Sequence, residues 1–174
     1  NVEQLRADGL HLLDPETGPL AAGEGEGPGR MAEPETIMAH AGRLLTNSAE
    51  LTSAQVVVTA GATREAIDPV RYISNRSSGR MGVALAAAAW RRGANVTLVA
   101  GAMSVDPPPG VTVVDVESTE QMAAAVRELL PSARVLIMAA APADFRPQSS
   151  AAQKLDMESF GGALEVAPTS DILR

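Results

Sequence analysis

The sequence contains no cysteine, which excludes a disulfide framework, a thiolate metal site and a cysteine nucleophile. It contains no run approaching the roughly 18 uninterrupted apolar residues that a membrane-spanning helix requires. Basic charge is scarce too: 14 lysines and arginines face 21 acids, for a net charge of −7. Proteins that bind nucleic acid in bulk usually present a basic face, so neither nucleic acid nor membrane is expected as a partner. The chain opens on Asn1 without a basic, apolar leader, and we read it as a soluble, cytoplasmic piece of a longer polypeptide.

What is present is a chain able to fold. Its 174 residues are 45% hydrophobic with a mean hydropathy of +0.04, enough for one domain or slightly more. Charge is unevenly placed. Residues 51–92 hold six arginines against Glu65 and Asp68, a net +4 inside an acidic chain. Such a local excess suits an anionic small molecule, although a solvated basic helix face has the same composition.

The pattern of elements is α/β. Gln55 to Ala60 is a short β-branched run ending at Gly61, the signature of a buried strand that closes in a loop. Gly79 to Arg92 reads as an alanine-rich helix with Met81, Val83, Leu85, Ala86, Ala89 and Trp90 as its apolar positions, Ser78 as N-cap and Gly93 at the C-cap. Ala94–Ala100, Val111–Val116 and Arg134–Ala140 read as further strands, and Thr119–Leu130 as an amphipathic helix. Apolar strands alternating with helices predict a doubly wound, mainly parallel, Rossmann-like sheet. Residues 1–50 differ: five of the fifteen glycines fall between Gly18 and Gly29, which predicts largely irregular chain. Val2–Asp8 is expected as the end of a helix, His11–Leu13 as a short strand and Glu35–Leu45 as a helix opened by Pro34. The small polar residues of Thr46–Ala54 mark a boundary between units 1–50 and 51–174.

Ligands of open α/β sheets lie beyond the carboxyl ends of the strands. There Gly61 permits close backbone approach, and Ser77, Ser78 and Gly79 precede a helix N-terminus that favours an anion. Gly61 reads equally as a turn residue and Ser78 as a simple cap. A nicotinamide-dependent reductase is an alternative for such a fold, but the G-x-G-x-x-G spacing and a Tyr-x-x-x-Lys pair are both absent. A non-catalytic nucleotide-binding domain is a second.

Residues 59–82, T-A-G-A-T-R-E-A-I-D-P-V-R-Y-I-S-N-R-S-S-G-R-M-G, then 138–147, M-A-A-A-P-A-D-F-R-P, and Gln153-Lys154 closely resemble phosphopantothenate–cysteine ligase. The resemblance implies a two-step reaction of coenzyme A biosynthesis: CTP with Mg2+ activates the carboxylate of 4'-phosphopantothenate as an acyl-cytidylate, and the cysteine amine then displaces CMP. By position it makes Asn75 the residue that meets the reacting acyl group, and Arg71 the arginine near phosphopantothenate. Ser77, Ser78 and Gly79 match the phosphate-cradling turn, and Gly61, Ala140, Ala141 and Phe145 the nucleotide contacts. Asp144 matches the acid near ribose or the triphosphate-bound metal, a hard oxygen ligand suited to magnesium, though loop capping would also account for an aspartate there. Lys154, matching a lysine on a flexible flap, is the single lysine of the chain. A compact ammonium retained where arginine is otherwise used points to a task that a guanidinium fork does not perform. Two positions depart from the family: Pro142 replaces a valine, and Asp156 stands where a second lysine is usual.

The segments N-V-E-Q-L-R-A-D-G and G-P-L-A-A-G-E-G-E-G-P-G-R-M-A-E-P at residues 1–9 and 18–34 resemble the tail of the FMN-dependent phosphopantothenoylcysteine decarboxylase that is fused ahead of the ligase. Ala22 or Gly23 stands near that family's redox cysteine, and neither His11 nor His40 falls in a matching motif. The resemblance thus implies decarboxylation by a longer parent and not by this chain. It also implies further strands and a helix beyond the P-T-S-D-I-L match at 168–173, and a homo-oligomer built on a ligase dimer, larger when the decarboxylase is fused.

Overall fold

The computed structural model describes residues 1–21, 23, 25–46, 50–156 and 161–173. They form two compact units, Asn1–Asn47 and Ser48–Arg174.

In the first unit, helix α1 covers Val2–Ala7 and helix α2 covers Pro34–Leu45, with Pro34 at its first turn where a missing N–H costs nothing. Between them the glycine-rich stretch is more ordered than its composition predicts. Strands β1 (Glu16–Pro19) and β2 (Glu26–Arg30) pair antiparallel, with Gly18 opposite Gly27. The Leu20 N–H closes the turn on the Gly25 carbonyl at 2.9 Å, so local backbone pairing supplies the order that side-chain burial does not. His11–Leu13 forms no strand. Among the described residues of this unit only Ala32 and Gly42 are buried. Ala22 lies outside the described residues.

The second unit carries the parallel sheet. Strand β3 is Gln55–Ala60, followed by β4 (Arg64–Ala66), β5 (Tyr72–Ser74), helix α3 (Arg80–Arg91), β6 (Asn95–Ala100), β7 (Thr112–Asp115), helix α4 (Thr119–Leu129), a 3-10 turn at Leu130–Ser132, β8 (Val135–Met138), β9 (Phe145–Pro147) and β10 (Val166–Pro168). The sheet order is β7-β6-β3-β8, with every pair parallel. The β-branched run of β3 is central and buried on both faces, as a parallel interior strand must be. Successive side chains of a strand point to opposite faces. On one face α3 approaches so closely at Gly82 that a Cβ there would stand 2.4 Å from the Ala60 Cβ. On the other, Val57 and Val99 pack with Met122 and Val126 of α4, joined by Leu136, Ala140 and Ile172. Helices on both faces make the sheet doubly wound, as expected.

Three details differ from the sequence reading. Met81 is 70% exposed, and the small Gly82 takes the helix contact in its place. The cap of α3 is Gly79, in the left-handed conformation with φ 76°, rather than Ser78. A side chain at residue 79 would also collide with Met103, whose Cγ lies 2.6 Å from the position of such a Cβ. Finally, the loop expected between β3 and α3 contains the antiparallel hairpin β4–β5. Its turn is closed by Asp68, whose Oδ1 accepts the Val70 and Arg71 N–H groups at 2.8 Å each. Asp-Pro is a turn initiator for this reason.

Candidate functional site

Strand β8 stops two residues earlier than its apolar run predicts, and the cause is one hydroxyl. Thr59 Oγ1 on β3 accepts hydrogen bonds from the Ala139 and Ala140 N–H groups, both at 3.1 Å. With these amides drawn to a side chain, the strand leaves the ladder and rejoins it where Ala141 N–H meets the Gly61 carbonyl at 2.7 Å. Gly61 and Ala140–Ala141, separated by about eighty positions in sequence, thereby form one backbone floor at the carboxyl ends of β3 and β8. Gly61 has φ 80°, and a Cβ on it would lie 2.6 Å from the Ala102 carbonyl oxygen.

The chain after Ala141 is held by a buried polar cluster that sequence reasoning passed over. Thr63 Oγ1 accepts the Ala143 N–H at 2.8 Å and donates to Thr119 Oγ1 at 2.9 Å, the Thr119 proton being directed to Glu65. Glu65 Oε1 accepts both the N–H and the hydroxyl of Thr119 at 2.8 Å. The Glu65 carboxylate therefore occupies the N-terminus of α4, where unpaired amides and the helix dipole favour a negative charge. Polar residues inside an otherwise apolar strand-and-loop run, Thr59, Thr63 and Glu65, were the available signal, since such groups are buried only with partners.

Asn75 follows β5 and reaches across to this turn. Its Nδ2 donates to the Pro142 carbonyl at 2.9 Å and more weakly to that of Ala141 at 3.4 Å. The expected acyl-group residue thus lies at the meeting point of the β5–α3 loop and the turn after β8, with its amide hydrogens engaged by backbone. Ser77 and Gly79 are together: the Gly79 N–H donates to Ser77 Oγ at 3.3 Å. Ser78 is exposed, and its carbonyl accepts the Ser104 N–H at 3.2 Å. The first turn of α3 contains no acid and its cap supplies no side-chain acceptor, while Arg76 and Arg80 flank it. A helix start with a positive dipole end and basic neighbours is chemically suited to an anion.

A cavity of about 460 Å³ opens beside this floor, and Met138, Ala140, Pro142, Asp144, Thr169 and Asp171 are among its lining residues. Thr169 closes one wall, donating from Oγ1 to the Ala143 carbonyl at 2.5 Å and from N–H to that of Asp144 at 3.0 Å. Asp144 is exposed, and Phe145 opens β9 with 48% of its surface exposed. The described residues contain no preformed cluster of three or more metal-ligating side chains. The two carboxylates among the lining residues, Asp144 and Asp171, are of the donor type that binds magnesium through one or two protein oxygens plus substrate phosphates.

Arg71, expected near phosphopantothenate, is bonded within the protein. Its Nε donates to Asp68 Oδ2 at 2.9 Å, its Nη2 to the same oxygen, and the same Nη2 to the Leu155 carbonyl at 2.7 Å. The Leu155 N–H donates to Asp68 Oδ2 at 3.1 Å. The Arg71 guanidinium and the backbone N–H groups of Val70, Arg71 and Leu155 outweigh burial and hold the Asp68 carboxyl well below the usual carboxylate range. Lys154, next to Leu155, is exposed and makes no ion pair among the described residues.

Residues 51–174 match the family model of the DNA/pantothenate metabolism flavoprotein C-terminal domain. The coenzyme A biosynthesis bifunctional protein CoaBC of Escherichia coli is 45% identical over 162 residues, which are 93% of this chain and 40% of that protein. CoaBC of Mycobacterium tuberculosis is 47% identical over 180 residues, covering 100% of this chain and 41% of the relative. The chain therefore spans about two-fifths of the length of these curated relatives. Among solved structures, the C-terminal domain of a CoaBC superposes with a TM-score of 0.62 at 41% identity, over 71% of this chain and 57% of that one. No helix among the described residues is long and apolar enough to cross a membrane.

Proposed function

This chain belongs to the DNA/pantothenate metabolism flavoprotein C-terminal domain family, and from that premise we propose that it serves an enzyme of coenzyme A biosynthesis, joining 4'-phosphopantothenate to cysteine at the expense of CTP. The observation that carries the proposal is the bond from Asn75 to Pro142. It brings the D-P-V-R-Y-I-S-N-R-S-S-G loop and the A-A-A-P-A-D-F turn to one place, beside an uncapped helix N-terminus and a cavity of about 460 Å³.

In this reading CTP lies over the floor formed by Gly61, Ala140 and Ala141, where the absence of large side chains admits a flat base and a ribose. Asp144, with Asp171 among the residues lining the same cavity, would hold Mg2+, which supplies charge neutralisation to the triphosphate. The phosphopantothenate carboxylate attacks the α-phosphorus, forming the acyl-cytidylate and releasing pyrophosphate. The cysteine amine then forms the amide as CMP leaves. Asn75 is placed to donate to the acyl oxygen once it exchanges the Pro142 carbonyl for substrate. The end of α3, with Ser77, Ser78, Gly79 and the flanking Arg76 and Arg80, is suited to a phosphate group. Lys154 places a mobile positive charge near the leaving pyrophosphate.

The relatives are bifunctional and longer, so the FMN-dependent decarboxylation belongs in this reading to a parent polypeptide, and no residue described here is assigned to FMN. A homo-oligomer and a cytoplasmic location complete the proposal. Calorimetric titration with CTP, ATP and NADPH tests it: heat from CTP in the presence of Mg2+ is expected, and tight NADPH binding would overturn it in favour of a reductase. Pyrophosphate release measured with CTP and 4'-phosphopantothenate, without cysteine, isolates the first step. Lys154→Gln should slow that release about tenfold or more, the scale of a lost charge contact to a developing anion.

A further inference from the structure

Three backbone ties hold the segment that carries Lys154. The Ala151 N–H donates to the Ile67 carbonyl at 2.9 Å, at one foot. At the other, the Leu155 N–H reaches Asp68 Oδ2 at 3.1 Å and the Leu155 carbonyl accepts from Arg71 Nη2 at 2.7 Å. Ala152, Gln153 and Lys154 are exposed between these feet. Both feet stand on the 67–71 turn of the β4–β5 hairpin, and that turn is itself organised by Asp68, which is buried and takes five donors: two from its own turn, two from the Arg71 side chain and one from Leu155.

We infer that Asp68 and Arg71 form a clasp that sets where Lys154 stands, so that both are positioning residues for the lysine. Asp68 is too enclosed to meet a substrate, and each polar atom that its side chain offers is committed within the protein. The Arg71 fork faces Asp68 and Leu155, which accounts for an arginine at this position: its planar donors bridge a carboxylate and a carbonyl at once, whereas a lysine ammonium would not hold both in register. The hairpin turn thereby becomes the fixed side of a strap, and residues 152–154 its free loop. The ligase reading enters only in what Lys154 acts upon; the clasp itself rests on the bonds above.

Because Lys154 is the single lysine of the chain, a lysine-specific endoprotease can cut this sequence only between Lys154 and Leu155, the residue whose N–H and carbonyl are both clasped. The experiment uses the native full-length protein and follows cleavage of that bond by mass spectrometry, for the parent, Asp68→Asn and Arg71→Gln, with circular dichroism to verify folding. Arg71→Gln leaves the Asp68 carboxylate and its backbone donors in place, so it stands in if Asp68→Asn does not fold. Cleavage is expected to accelerate about tenfold or more in both variants, since cutting tracks the population of the opened segment and each variant removes a bond to a charged group. CTP-dependent pyrophosphate release by Asp68→Asn should fall about ten- to a hundredfold in turnover with little change in CTP affinity, the mark of a misplaced group. A folded variant cut at the parental rate would overturn the clasp. Faster cutting with unchanged pyrophosphate release would overturn its link to the reaction while leaving the ligase reading intact. A parent without any CTP-dependent pyrophosphate release sinks the ligase reading, and the protease result then still decides the clasp.

Discussion

Helices α3 and α4 are nearly equal in length and pack on opposite faces of one sheet, yet they begin in opposite ways. At α4 the terminus is closed from within. Ser118 Oγ accepts the Gln121 N–H at 3.2 Å, Gln121 Oε1 accepts the N–H groups of Glu117 and Ser118 at 2.7 and 3.3 Å, and Glu65 takes that of Thr119. This is a complete capping box with a carboxylate added. At α3 the cap is a glycine, the first turn has no acid, and arginines stand on either side. A helix end costs free energy if its amides lack acceptors, and the chain closes the α4 terminus with its own side chains while α3 has no side-chain cap beyond the Ser77 Oγ that accepts the Gly79 N–H. Both helices have the same dipole; only the local sequence distinguishes the capped end from the one that, in the proposed reading, is suited to a phosphate.

The largest expected effect lies on the open side. Asn75→Ala removes a donor without adding charge, so turnover in pyrophosphate release should fall by roughly 10² to 10³, the scale for an oxyanion donor, while CTP affinity stays near parental. Asn75→Asp should reduce both, because its carboxylate would face the Pro142 and Ala141 carbonyl oxygens that the amide now satisfies. If titration calorimetry shows parental CTP binding by Asn75→Asp, a charge facing those two carbonyls does not disturb the turn.

On the closed side, Glu65→Ala leaves the Thr119 N–H and hydroxyl buried with fewer acceptors and should cost about 1–3 kcal/mol in denaturant unfolding. Ser118→Ala removes the box's side-chain acceptor and should cost about 1 kcal/mol. Neither should alter CTP affinity, and a loss of affinity in Ser118→Ala would erase the distinction between the two ends.

Arg80→Glu sharpens the contrast from the other direction. An acid in the first turn of α3 improves the helix by about 0.3–1 kcal/mol through the dipole. It should nevertheless weaken binding of the phosphate-bearing substrate, so stability and affinity move oppositely, measurable by thermal unfolding and calorimetry on one variant. The smallest effect is in pH. Asp68 has a carboxyl held below its ordinary range in the folded state, so the stability it contributes is full at neutral pH. That stability begins to be lost as pH falls through the unfolded value of about 4, where the unfolded chain binds a proton that the folded one refuses. Unfolding midpoints between pH 6 and 3 should drop more steeply for the parent than for Asp68→Asn.

Much of the parallel sheet was legible because its strands are uninterrupted apolar runs and its helices have clear periodicity and stops, Gly93 above all. Less legible were events that depend on one atom meeting another far along the chain. Thr59 looks like a β-branched strand former, and while a hydroxyl in an apolar run signals that it needs a partner, nothing in its neighbours announces that it will capture two amides eighty residues away and end β8. Arg71 lies in the motif as a candidate for substrate, but its fork is committed to Asp68 and Leu155. The glycines of 18–29 suggested loop because glycine is poor at specifying strands; pairing of β1 with β2 by backbone alone escapes any side-chain pattern. Asn75 and Asp144 were legible through motif resemblance, and the turn that unites Asn75 with Pro142 only through the fold.

Met103 is packed against both Gly61 and Gly79, with its Cγ 2.8 and 2.6 Å from where their Cβ atoms would be. Those three positions therefore change under a shared constraint as the sequence drifts. A shorter residue at 103 would remove the Cγ and Sδ that stand 2.6 and 2.8 Å from a methyl group at 79, leaving the tight 3.0 Å approach of the residue 103 Cβ and the backbone cost of a positive φ. It would give no such freedom at 61, where the Ala102 carbonyl oxygen is the first obstacle and no side-chain replacement moves it. Of these two glycines, one is negotiable in part through its neighbour and the other is fixed by the main chain.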